Sequence, residues 1–171
     1  RLSECDDLPT TSQISPFAFT QAIQKATENG DCAIVITMSG KLSGTYQSAC
    51  VAAEEFEGKV FVVDSENVTV GERALIEYAL RLKDTGQSAE SIVEELNRAK
   101  KRIQLIALLD TLEYLKKGGR ISKTAALAGS VLSIKPVIGI VDGEVAMLGK
   151  ARGSKQGNNL LAEHIRKAGG I

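Results

Sequence analysis

The chain has 171 residues, 21 Lys+Arg against 21 Asp+Glu, 43% apolar and 25% charged residues. That is the balance of an ordinary soluble globular protein, with room for one good core or two small ones. Zero net charge excludes a global pull toward nucleic acid or anionic membrane, and 4% aromatics without Trp exclude a base-stacking platform. Cys5, Cys32 and Cys50 are an odd, widely spaced set, so neither a disulfide framework nor a zinc site is expected. Cys32 and Cys50 read as small buried hydrophobes, and the compartment as reducing cytoplasm. No apolar run is long enough to span a bilayer, and no signal-peptide pattern is present. The first residues are Arg1-Leu2-Ser3 and the last Gly169-Gly170-Ile171, so both ends are expected to continue into a longer protein.

Pro9-Thr10-Thr11-Ser12-Gln13 is a dense polar segment, readable as a ligand loop or as plain capping hydroxyls. Ser15-Pro16 opens a helix, with Ser as N-cap and Pro at the first helical position; Asn29-Gly30 closes it. Cys32–Thr37 is a short apolar run of the kind buried on both faces of a sheet. A Ser-Gly loop, Ser39–Thr45, then leads into a helix over Tyr46–Phe56. Lys59–Asp64 is a second strand, Glu72–Lys83 and Ser88–Arg102 are helices, and Gln104–Leu109 is a third strand. Strands alternating with helices predict a parallel sheet with flanking helices. After Asp110 the pattern changes. Short helices are predicted over Leu112–Lys117 and Thr124–Leu132, then a hairpin of Pro136–Val141 and Glu144–Leu148 about Asp142-Gly143, then a helix over Ser154–Ala168. The fold class is α/β, with a first domain over 1–104 and part of a second α/β domain over 105–171.

In a parallel sheet, ligands bind outside the carboxyl ends of the strands. The Ser39–Thr45 loop sits there. Its hydroxyls, its two glycines and the free N–H groups of the helix start suit an anion; alternatively, Ser43 or Thr45 merely caps the helix. Asp64 at the end of the second strand either orders this loop or binds a hydroxyl. Ser43 is not in a nucleophile elbow, because Lys41 and Thr45 stand where that motif needs glycines. The single histidine, His164, lies on a distant helix and reads as a solvated face residue. The loop is not a Walker A sequence either. Arg120 beside Gly118-Gly119, and Arg152 beside Gly153, either close helices and turns or meet an anionic group.

Five motifs in order resemble the DegV family: Thr11-Ser12-Gln13-Ile14-Ser15-Pro16, Leu42-Ser43-Gly44-Thr45-Tyr46-Gln47-Ser48-Ala49, Val63-Asp64-Ser65, the run from Asp110 to Ser122 through Gly118-Gly119-Arg120, and Ile134-Lys135-Pro136 with Asp142-Gly143 and Lys150–Gly153. The resemblance implies a non-enzymatic two-domain protein that binds a long-chain fatty acid and presents its carboxylate to a separate ATP-dependent kinase subunit of a bacterial fatty acid kinase. It implies no cofactor beyond the bound fatty acid, no nucleic acid partner and no stable membrane insertion. It places Thr11, Ser12, Ser43 and Gly44 at the carboxylate, and Arg120 and Arg152 at the head group or the partner-facing surface. The family also uses a first strand with an Asp-Ser motif and a histidine in its C-terminal portion. This chain shows neither, and His164 does not match that histidine; Ile14 stands where the family has Pro. Leu127, Val131, Leu132 and Ile134 line either a tunnel or plain core. The alternatives are a serine acyl hydrolase or phosphotransferase on a related scaffold, and a regulator that binds some other small anion.

Overall fold

A computed structural model describes residues 9–121 and 134–170. Ser15 caps helix α1 (Pro16–Thr27), accepting the Ala18 N–H at 3.3 Å, with Pro16 in the first turn as its missing N–H allows. Strand β1 (Ala33–Thr37) leads through the Ser-Gly loop into α2 (Thr45–Ala53), which tightens into a 3₁₀ turn at Glu54–Phe56. β2 (Val60–Asp64), α3 (Thr69–Asp84) and α4 (Ala89–Ala99) follow; α3 begins three residues earlier than the predicted Glu72, and Ser88 caps α4 by accepting the Ser91 N–H.

β1 and β2 pair in parallel, in register from Ala33 with Val60 to Thr37 with Asp64. Paired residues share a face, so Ile34, Ile36 and Val63 point the same way. That face packs on Leu75, Leu82, Ile92 and Leu96, the main core cluster. α2 buries Ala49 and Ala52, small residues that let the helix lie close to the strands. The apolar runs predict strands buried on both faces, yet most residues of β1 and β2 are only half-buried. Two strands cannot flank themselves, and only Thr37 and Val63 are fully enclosed.

The third predicted strand does not extend this parallel pair. β3 (Ile106–Leu108) pairs antiparallel with β4 (Ile134–Val141), which pairs antiparallel with β5 (Glu144–Arg152), in the order β3-β4-β5. The hairpin turns at Asp142 and Gly143 with φ of 49° and 80°, the two positive values that its two-residue turn demands. A short α5 (Glu113–Lys117) precedes the hairpin, and α6 (Gly153–Lys167) follows it and packs across the sheet. Gly157 of α6 faces Leu108 so closely that a Cβ there would stand 2.8 Å from the leucine Cδ1. The predicted helix Thr124–Leu132 lies outside the described residues, as do Cys5, Leu127, Val131 and Leu132. Cys32 is exposed and Cys50 half-buried, which corrects their reading as buried hydrophobes. Cys32 precedes the first paired residue of β1 and falls in the approach to the strand.

Candidate functional site

The loops after β1 and β2 meet at one edge of the parallel pair. Asp64, the last residue of β2, orders both. Its Oδ2 accepts the Gly40 N–H at 3.1 Å and its Oδ1 the Glu66 N–H at 2.8 Å. Gly40 lies so close to Asp64 and Tyr46 that a Cβ would come within 3.0 Å of each. The hydrogen bond to Cys50, then burial and the electrostatic influence of Cys50 and Asp64, raise the Tyr46 phenol above its ordinary range. The nearly buried Lys100 donates to the Asp64 carbonyl at 3.0 Å and pairs with Glu66 at 3.2 Å, and Lys101 reaches Glu66 at 2.6 Å. Burial pushes the Glu66 carboxyl up, but the hydrogen bonds and charges of Lys101 and Lys100 outweigh it and leave the group below the ordinary glutamate range.

The hydroxyls of the Ser-Gly loop divide. Ser39 is fully buried at 0% exposure, and its Oγ donates to the Gly143 carbonyl at 2.6 Å. It joins the loop to the hairpin turn of the other sheet, so it is not free for a ligand. Ser43 is half-buried. Its Oγ accepts the Thr45 N–H at 3.2 Å and shares a 2.9 Å hydrogen bond with Thr45 Oγ1. A hydroxyl has one donor and two acceptor positions. When Thr45 supplies both protons, the Ser43 O–H is left to donate to an incoming anion. Capping and anion binding are therefore compatible at this residue.

The N-terminal segment docks on the same loop. Gln13 Nε2 donates to Ser48 Oγ at 3.2 Å, and Gln13 Oε1 lies 1.7 Å from where a Cβ on Gly44 would stand. Position 44 thus accepts only glycine while Gln13 lies there. Thr11 and Ser12 are exposed in this segment. The structure brings Thr11, Ser12, Ser43 and Gly44 into one neighbourhood through Gln13. Arg120 joins them: its Nε donates to the Leu42 carbonyl at 3.2 Å, and its Nη1 to the Gly118 carbonyl. Arg152 does not join. It is paired with Ile134 at the end of the hairpin opposite the turn that meets Ser39. Eight residue pairs at roughly 3.3 Å each separate the two ends.

Sequence reasoning missed three features. Gln13 carried no separate role. Ser39 was grouped with the ligand-facing hydroxyls, because nothing local distinguishes a serine bonded 104 residues away. His164 is half-buried rather than solvated: it lines a cleft of about 340 Å³ with Glu66, Lys100, Leu105 and Ile140. A smaller cavity of about 160 Å³ lies between Ser39, Asp64 and Asp142. Ile134 borders neither cavity. Among the described residues no cluster of three or more His, Cys, Asp or Glu could hold a metal ion, and no helix is long and apolar enough to cross a membrane.

The family model described as "Uncharacterised protein, DegV family" matches residues 1–170. A DegV domain-containing protein of Deinococcus radiodurans is 42% identical over 160 residues, which cover 94% of this chain and 57% of that protein. A Thermus thermophilus structure, described as fatty acid binding of a DegV family protein, superposes with a TM-score of 0.87 at 39% identity, covering 95% of this chain and 58% of that one. A Thermotoga maritima structure described as revealing fatty acid binding function gives 0.85 at 30% identity, covering 98% and 59%. The chain therefore spans somewhat under two thirds of the length of these relatives.

Proposed function

Because this chain belongs to the DegV family, we propose that it binds a long-chain fatty acid and presents its carboxylate to a separate ATP-dependent kinase subunit, without catalysing the transfer itself. The observation that carries this reading is the docking of Gln13 on Gly44 and Ser48, which holds the segment bearing Thr11 at the helix start of α2, beside Ser43. Similar DegV structures described as fatty acid binding support the ligand class.

The physics fits such a ligand. Each buried methylene contributes roughly 0.8 kcal/mol, so the acyl chain supplies most of the affinity and the head group needs few contacts. Neutral hydroxyls and N–H groups hold a carboxylate without a strong ion pair, which keeps its oxygens available to a phosphoryl donor. Arg120, already tied to the loop at Leu42, sits at the rim of this head-group site. Arg152 stands at the far end of the hairpin and fits the partner-facing surface better than the head group. The pairing of β3 with β4 supports a division between residues 104 and 105. The cytoplasm, where ATP is available to the partner, is the proposed location.

The test is to extract and identify lipid from the purified protein, then to measure fatty acid affinity for Thr11→Ala and Ser43→Ala. Losing one hydrogen bond to a charged head group costs about 1.5–3 kcal/mol, so Kd should rise roughly 10- to 100-fold. With the kinase subunit added, Arg152→Ala should depress acyl phosphate formation while leaving fatty acid affinity intact. Acyl-ester turnover by the chain alone, abolished in Ser43→Ala, would instead establish a serine hydrolase.

A further inference from the structure

We infer that Gln13 is a positioning residue of the carboxylate site, a clasp that sets the spacing between Thr11 and Ser43. The inference rests on the fatty-acid reading above. Its geometry is independent of any ligand. Gln13 Nε2 donates to Ser48 Oγ, and Ser48 is 3% exposed on the inner side of α2, one turn beyond Gly44. The rest of the Gln13 side chain lies flat across Gly44: a Cβ there would be 1.7 Å from Oε1 and 2.7 Å from Cδ. Glycine at 44 thus has a second use besides flexibility. It is the seat of the Gln13 amide.

Among the described residues, this is the one side-chain hydrogen bond between residues 9–14 and α2. Thr11 and Ser12 are exposed and bond to nothing described. Without the clasp the segment would be free to move away from Ser43. Fixing one residue's backbone costs roughly 1–2 kcal/mol, and the ligand would have to supply that ordering on binding. The clasp settles it during folding, so the segment that carries Thr11 is already held against Gly44 when the ligand arrives.

The clasp acts on the head group alone, and this separates it from a merely structural role. In the full chain, Kd is measured for a long-chain fatty acid and for its methyl ester, which keeps the acyl chain and lacks the anionic head. The variants are Gln13→Met, which retains length over Gly44 but cannot donate, Ser48→Ala, and the double mutant. Gln13→Met and Ser48→Ala should each weaken the acid about tenfold. The ester affinity should be unchanged, and the double mutant should be no worse than either single one. Unchanged acid affinity in Gln13→Met, or equal weakening of acid and ester, overturns the clasp and leaves the fatty-acid reading standing. Failure of the unmutated chain to bind either ligand overturns that reading and the clasp with it.

Discussion

Ser39 and Ser43 stand four residues apart in one loop and serve opposite ends. Ser39 turns inward and spends its proton on a buried carbonyl; Ser43 turns toward the helix start and accepts the Thr45 N–H. Glu66 belongs to the same residue scale. Its backbone lies at φ 51°, in the left-handed region, and its carboxylate pairs with Lys100 and Lys101. Its pKa is lower in the folded chain than the ordinary value of about 4.3. A depressed carboxylate contributes stability above the unfolded-state pKa, and that contribution is lost as pH falls through the folded value. The stability gap between the unmutated chain and Glu66→Gln should therefore be largest at neutral pH and close progressively in acid below the ordinary glutamate pKa. Urea midpoints across a pH series would read this directly; a gap that is constant with pH would remove Glu66 from the account of acid sensitivity.

At the scale of elements, the hairpin is the sharpest case. Asp142-Gly143 between two apolar runs is legible in the sequence because only a short list of residues tolerates two successive positive φ angles. The tertiary structure adds a second demand on Gly143: a Cβ there would stand 2.7 Å from Ser39 Oγ. Gly143→Ala thus meets both backbone strain and a displaced hydrogen bond, and should cost about 1–3 kcal/mol, measured by chemical denaturation. Ala at Gly58, where φ is also positive but no atom lies within 4 Å, meets strain alone and should cost less. The cap of α1 was equally readable, since Ser15 and Pro16 act within one turn. The destination of β3 was not. An apolar run such as Ile106–Leu108 specifies a strand but not its partner, and the partner proved to be β4.

Across the whole molecule, the two sheets communicate through the Ser39–Gly143 hydrogen bond, the Lys41–Glu144 ion pair at 4.0 Å and the bond from Arg120 to Leu42. The ion pair is exposed on both sides and contributes little. The Ser39 bond is fully buried, and removing it leaves the Gly143 carbonyl without that donor. Ser39→Ala should destabilise by about 1–3 kcal/mol. It should also separate the unfolding of the two sheets, seen as non-coincident denaturation curves from a probe in each. Coincident curves with an unchanged midpoint would show that the joint is carried elsewhere.

The sequence by itself determined the capped starts of α1 and α4, the hairpin turn, the α/β class and the family, because caps, turn residues and motifs act over a few neighbouring positions. It also pointed to Thr11, Ser43 and Arg120 as candidates. Only the tertiary structure decided that Ser39 faces a carbonyl 104 residues away, that Gln13 seats on Gly44, that Arg120 reaches Leu42 and that Arg152 does not. A hydroxyl or a guanidinium reads the same in a sequence whichever way it points. Its role is set by the partner that packing brings within about 3 Å, and packing depends on the whole chain.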